Sequence, residues 1–237
     1  MTAPYWLNPA TPDDFPDVAL AARDPDGLLA IGGDLSVARL RNAYRRGIFP
    51  WYSEDQPILW WSPDPRSVLF PGKLHVSRSL RKTLRRQDFQ ITVDQAFAPV
   101  IQACSEARAG NPGTWIVDEM QAAYQRLHQA GNAHSIECWH HGKLVGGLYG
   151  VAIGKVFFGE SMFSRMSDAS KVAFVYLARL CQKQGFGLID CQIQSRHLDS
   201  LGAESIPRHE FVQLLAHYTG QPAPAQSWQL QADLLAQ

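Results

Sequence analysis

The sequence predicts an α/β (α+β) protein, in which a layered C-terminal domain with a largely antiparallel sheet follows a small N-terminal α+β domain. Three observations carry this. From Phe89 onward, β-branched and aromatic runs alternate with segments whose apolar residues recur every three or four positions, in the order strand, helix, helix, three strands, helix, strand, helix. The three central runs, in "HSIECWHHGKLVGGLYGVAIGKVFFGESMFS", are separated only by tight turns at His141-Gly142-Lys143 and Ile153-Gly154-Lys155, which join antiparallel neighbours. Before about residue 70 the pattern differs: "GIFPWYSEDQPILWWSPDPR" holds three of the seven tryptophans and four of the fifteen prolines, too broken for a long helix or an ordinary strand. Residues 1–70 are therefore expected as the small domain and 71–237 as the layered one.

Element by element, Ser36 is placed to cap a helix over about 37–46, with Leu40, Ala43 and Tyr44 apolar and Gly47 as its stop. Ser77 is placed to cap a second helix in "LHVSRSLRKTLRRQ". There Arg78, Arg81, Lys82, Arg85 and Arg86 share one face, and Val76, Leu80 and Leu84 line another. "FQITV" reads as a strand and Asp94 as the cap of a helix bearing Phe97, Val100, Ile101 and Cys104. Met120, Ala123, Tyr124 and Leu127 mark the next helix, with Gly131 beyond its end. After the three strands, Ser167 opens a long helix through about Gln184, "GLIDCQI" is a buried strand, and Pro207 starts a last helix carrying Phe211, Leu214, Leu215 and Tyr218. This order resembles the acetyltransferase-type fold.

Composition narrows the function classes. The 237 residues carry 22 basic and 22 acidic side chains, so any polyanion site must be local. The four cysteines form no CxxC pair and no zinc spacing, and the N-terminus does not read as a signal peptide, which together point to reduced thiols in the cytoplasm. No apolar run approaches the roughly 20 residues needed to cross a bilayer. No metal and no cofactor are expected, and a monomer is.

Four motifs bear chemistry, each with a plain structural alternative. "QKQGFG" matches the pattern by which acetyltransferases grip the coenzyme A pyrophosphate, but it sits where a helix ends and carbonyls face outward, so a helix C-terminus is expected. The cationic helix is either a phosphate-backbone contact or a solvated face; no acidic residue interrupts it. Asp190 and Gln192, two apart on a strand, leave one face as either a functional pair or a self-satisfying buried network, with Cys191 on the opposite, core side. Glu160, among Phe157, Phe158, Met162 and Phe163, must pair with a protein cation such as Arg165 or await a cationic ligand.

Taken together and in this order, "DGLLAIGGDLS", "AYRRGIFPWYSEDQPILWWSPDPR", "HSIECW", "GESMFSRMSDASK" and "LIDCQ" closely resemble the bacterial leucyl/phenylalanyl-tRNA-protein transferases, over about Phe15 to Phe211. The resemblance implies an enzyme that takes leucine or phenylalanine, and methionine less well, from aminoacyl-tRNA. It joins the amino acid to the N-terminal arginine or lysine of acceptor proteins and so marks them for degradation by the N-degron pathway. It further implies Trp51, Trp115 and Glu160 as the acceptor-peptide site and Asp190 and Gln192 as the catalytic pair. Leu148, Phe157 and Leu177 are candidates for the donor amino-acid pocket, and Arg78, Arg81, Lys82, Arg85 and Arg86 for transfer RNA binding. Trp60 and Trp61 are as readily core or domain-interface residues. An acetyl-coenzyme A N-acyltransferase and a non-catalytic RNA-binding module are the competing readings.

Overall fold

The computed structural model describes residues 5–106, 116–223 and 228–229. In the N-terminal part, β1 (Tyr5–Leu7), β2 (Leu28–Gly32), β3 (Phe49–Pro50) and β4 (Leu59–Trp61) form a four-stranded sheet in the order β1-β2-β4-β3, with α1 (Val37–Arg45) between β2 and β3. Ser36 caps α1 by accepting the Arg39 N–H, and Gly47 leaves the helix at φ +76°. A side chain at Gly47 would strike Phe211 and Leu215, so close approach as well as backbone conformation calls for glycine there.

The larger sheet has seven strands in the order β11-β5-β10-β9-β8-β7-β6. Its members are β5 (Arg66–Leu69), β6 (Gln90–Val93), β7 (Ala133–His140), β8 (Lys143–Ile153), β9 (Val156–Ser164), β10 (Leu188–Gln192) and β11 (Glu204–Ile206). Every neighbouring pair is antiparallel except β9 and β10. These two are joined by α5 (Ala169–Lys183), the crossover that a parallel pair needs. β5 lies before residue 70 in the chain yet is a strand of this larger sheet.

Helices cover both faces. α2 (Arg78–Arg86) and α5 bring Leu80, Leu84, Val172 and Cys181 into one apolar cluster with Leu148, Phe157 and Ile189 of the sheet. On the other face, α3 (Phe97–Glu106), α4 (Asp118–Gln129) and α7 (Arg208–Thr219) share a second cluster with α1 and the small sheet, running from Trp60 through Tyr44 and Tyr124 to Phe158 and Phe211. α6 (Arg196–Asp199) is a single turn between β10 and β11.

The layered α/β architecture and the helices read from apolar spacing are present; local details differ. Asp94 does not cap α3. It sits at φ +57° and turns back to the sheet, accepting the Ser135 N–H at 2.8 Å and lying 2.7 Å from His134 Nδ1. Pro99 falls in the first turn of α3, where no intrahelical N–H is required. α5 begins at Ala169, behind Asp168 in the left-handed region, two residues later than Ser167.

Candidate functional site

β9 and β10 pair only from Leu188↔Val156 to Asp190↔Phe158 and then separate. Each is irregular at this point. β9 slips against β8 between Tyr149 and Gly150, leaving Glu160 as an extra residue. β10 slips against β5 between Asp190 and Gln192. Bulges of this kind re-aim side chains. On β9 the slip reverses the alternation: Phe157 packs with the α5 cluster, whereas Phe163, six residues on, packs with the α3 cluster. A cavity of about 470 Å³ opens where the strands part, lined by both strands, α5, α6 and the Phe49–Trp51 segment.

Glu160 sits in the wall of this cavity and is 7 % exposed. Tyr124 Oη donates to its Oε2 at 2.7 Å, Gln192 Nε2 donates to its Oε1 at 2.8 Å, and Tyr44 Oη lies 2.5 Å from Tyr124 Oη. Burial pushes its pKa up to about 7; the tyrosine hydrogen bonds and Arg66 pull it down, and Asp190 pushes it up. Both phenols are held well above their usual range, chiefly by burial, so they act as donors. Arg165 is not the partner of Glu160: it bonds Glu106 at 3.0 Å on the surface. Among the described residues, no cationic side chain makes a hydrogen bond or salt bridge with Glu160.

Asp190 is wholly buried and both of its oxygens are taken by Arg66, Nε to Oδ1 at 2.9 Å and Nη2 to Oδ2 at 2.7 Å. The guanidinium is sandwiched between the rings of Phe49 and Phe211, each centroid 4.7 Å away. Asp190 Oδ1 also accepts the backbone N–H of Gln192 at 2.9 Å. The carboxylate thus fixes Gln192 through the backbone, not through its amide side chain. It holds Gln192 at φ +60°, a region that costs a non-glycine residue about 1–2 kcal/mol. Strict alternation is lost at this bulge, and Cys191, half-buried, packs against the α5 cluster while also lining the cavity. Burial keeps the Cys191 thiol protonated by raising its pKa far above the usual value.

Trp51 stands at the cavity, 40 % exposed, with Trp61 as its backing: the rings are 5.6 Å apart and Trp61 Nε1 donates to the Trp51 carbonyl at 2.7 Å. Trp60 faces the opposite way, fully buried, donating to the Gly32 carbonyl at 2.8 Å. Leu148 and Leu177 line the cavity with Met162, Phe163 and Phe174. Phe157 does not. It is a core residue on the far side of the bulge, 5.5 Å from the Trp228 ring. Trp115 lies outside the described residues.

Arg78, Arg81, Lys82, Arg85 and Arg86 are all exposed on α2, while Leu80 and Leu84 are buried. Ser77 caps the helix by accepting the Leu80 N–H, and Arg86 pairs with Asp88 just beyond its end. Thr83 Oγ1 donates to Asp168 at 3.1 Å and ties α2 to the start of α5. The "QKQGFG" run is a closed helix end: Lys155 Nζ donates to the Gln184 carbonyl, and Gly187 packs so closely on Tyr218 that a Cβ would lie 2.1 Å from its ring.

Two contributors were not legible in the sequence. Arg66 closes the proline-tryptophan segment and Tyr124 lies on an apolar helix face, and only the strand and helix that bring them to Asp190 and Glu160 reveal their part. The one available signal was that the short run "RSVL" opens on two polar residues, which the structure buries and which therefore need partners.

The C-terminal family model, described as leucyl/phenylalanyl-tRNA protein transferase, matches residues 68–216, and a model of that family's N-terminal domain matches 33–64. The chain is 61 % identical over 220 residues to the leucyl/phenylalanyl-tRNA–protein transferase of Aromatoleum aromaticum, covering 92 % of each chain. It is 59 % identical over 211 residues to that of Stutzerimonas stutzeri, covering 89 % of this chain and 93 % of the relative. Among solved structures, L-PGS from Bacillus licheniformis aligns with TM-score 0.41 at 12 % identity, over 66 % of this chain and 50 % of that one. A GCN5-related N-acetyltransferase from Kribbella flavida aligns with TM-score 0.38 at 15 % identity, over 71 % and 59 %. The matches to both family models and the identity along nine-tenths of the chain establish that the protein belongs to the leucyl/phenylalanyl-tRNA protein transferase family.

Proposed function

We propose that this protein moves leucine or phenylalanine, and methionine less readily, from aminoacyl-tRNA to the N-terminal arginine or lysine of acceptor proteins, working as a cytoplasmic monomer and marking those proteins for degradation through the N-degron pathway. The observation that carries the reading is Glu160, a buried carboxylate at a cavity wall with neutral donors on it and, among the described residues, no cation bonded to it. An arginine or lysine side chain at a peptide terminus supplies the missing charge through charge-assisted hydrogen bonds. Trp51, held by Trp61 and by the rigid Pro50, offers a flat wall to that peptide at little entropic cost.

The donor side chain occupies the apolar part of the cavity, against Leu148, Leu177 and Met162. Such a wall selects by shape, at about 1–3 kcal/mol per methylene, which separates leucine from β-branched isoleucine better than from methionine. The ester on RNA is already activated, so positioning supplies much of the rate, up to roughly 7–11 kcal/mol. Gln192 gives its Nε2–H to Glu160 and keeps its carbonyl oxygen free to accept an N–H of the attacking amine. The amine nitrogen bonds to the ester carbonyl carbon, the bond to the ribose oxygen breaks, and that oxygen takes up the proton the amine loses. Asp190, its oxygens engaged by Arg66 and the Gln192 N–H, serves as the fixed point of the site. The exposed cations of α2 meet the RNA backbone outside the cavity, and the layered unit of 71–237 carries the chemistry while 1–70 supplies Trp51.

Glu160→Gln tests the carrying observation. Transfer to a peptide beginning with arginine should fall at least about a hundredfold, mostly in the KM for peptide. An unchanged peptide KM would contradict the assignment.

A further inference from the structure

A half-buried histidine in the cavity wall has no part in the proposed transfer. His197 lies on α6, and its Nε2 is buried without a hydrogen-bond partner among the described residues. An unsatisfied polar atom at such depth costs about 1–3 kcal/mol, and a second one, Ser161 Oγ, faces the same cavity. The turn that carries His197 is firmly held: Ser195 caps it through the Leu198 N–H, Ser200 Oγ donates to the His197 carbonyl at 2.6 Å, and the His75 N–H bonds Leu201. The backbone that presents His197 to the cavity is therefore fixed.

Its surroundings indicate what it meets. Lys171, on α5, is the charged neighbour that joins burial in holding the His197 pKa below its usual value, so the ring is neutral and able to accept a hydrogen bond. Lys171 lies 3.6 Å from Asp168, and Asp168 accepts from Thr83 of α2. Contacts thus run from the exposed cationic helix to Lys171 at the start of α5, whose charge His197 senses at the cavity. A cationic acceptor peptide is drawn to the Glu160 carboxyl rather than to this side, where Lys171 sits beside Asp168. An apolar acyl side chain would leave the imidazole nitrogen unpaired. What fits is a neutral hydroxyl linked to a phosphate.

We infer that His197 Nε2 accepts a hydrogen bond from the free ribose hydroxyl of the donor RNA's terminal nucleotide, with Lys171 facing the adjoining phosphate. The inference rests on the proposed transfer reaction and assigns the wall that grips the donor end, separate from the Glu160 wall that grips the acceptor.

The test is a cycle of two changes in the full chain. Leucine transfer is measured with leucyl-RNA ending in ribose or in 2′-deoxyribose, using the parent, His197→Leu and His197→Gln. Removing the hydroxyl should raise the donor KM of the parent about tenfold, whatever it does to kcat. His197→Leu should show that raised KM with either donor and be indifferent to the hydroxyl, while the peptide KM stays within twofold. His197→Gln, which restores an acceptor on a side chain of similar length, should recover most of the discrimination. Equal sensitivity of the parent and His197→Leu to the hydroxyl would overturn the inference while leaving the transfer reaction standing. Loss in His197→Leu that appears in kcat or in the peptide KM, unrecovered by glutamine, would assign the residue a structural role and overturn it too. No transfer by the parent from either donor would instead overturn the proposed function itself.

Discussion

Glu160 and Asp190 are both buried carboxylates, yet their neighbours set them apart. Asp190 is matched by a bidentate guanidinium, whereas Glu160 receives only neutral donors and its pKa rises to about 7. A carboxyl that keeps its proton longer in the folded chain than in the unfolded one contributes stability below the unfolded value, near 4.5, and that contribution is lost as pH rises to about 7. The shift corresponds to about 3 kcal/mol. Glu160→Gln cannot ionise, so its thermal stability relative to the parent should improve between pH 5 and pH 8; parallel melting curves at the two pH values would refute this. Arg66→Met should do the reverse. It strands the Asp190 charge in the core and should cost about 3–5 kcal/mol in denaturant unfolding at pH 7. A cost under 1 kcal/mol would mean that Asp190 is held by something else. At this scale the sequence exposed the residue types but not their facing partners. Trp51 and Trp60 share one proline-rich stretch, and only the pairing of β3 with β4 turns Trp60 into the core and leaves Trp51 at the cavity.

Helices were the most legible elements because their signals are local: Ser36 and Ser77 cap α1 and α2 as their positions suggest, and the apolar spacing of α4 marks its buried face. Strands that belong to the sheet only through distant partners were not legible. β5 and β11 are three or four residues long, carry polar side chains, and pair across more than a hundred residues of chain. The two bulges that shape the site also escaped, since a slip in register follows from the neighbouring strand, and this is why Phe157 was expected at the pocket and Cys191 was not. α2 is the element whose role is most open to direct trial. Charge reversal at Arg81 and Arg85, exposed away from the Leu80–Leu84 seam, should weaken transfer RNA binding whichever amino acid the RNA carries. The slope of log K against log salt should flatten by about one to two for the contacts removed. Binding and slope equal to those of the parent would make the stripe a merely solvated face.

Across the molecule, one apolar cluster runs from the small sheet through α1 to the face of the large sheet, so the Trp51 wall and the Glu160–Gln192 pair are set by the same packing. Arg66 reinforces this, bonding Asp190 while lying against Phe49 and Phe211. Trp51 and the Glu160–Gln192 pair are thus more than a hundred residues apart in the chain yet meet at one cavity. The outline of this arrangement, a proline-tryptophan segment serving a layered domain, could be read before the structure; the parting of β9 and β10 that makes the cavity could not, because it depends on where two strands cease to pair. The most direct measurement is the mass of a peptide beginning with arginine after incubation with purified protein and leucyl-RNA. The expected result is a gain of one leucine residue at the peptide's N-terminus, with far less gain when the RNA carries isoleucine. An unchanged peptide mass, or equal transfer of both amino acids, would contradict the assigned chemistry of this cavity.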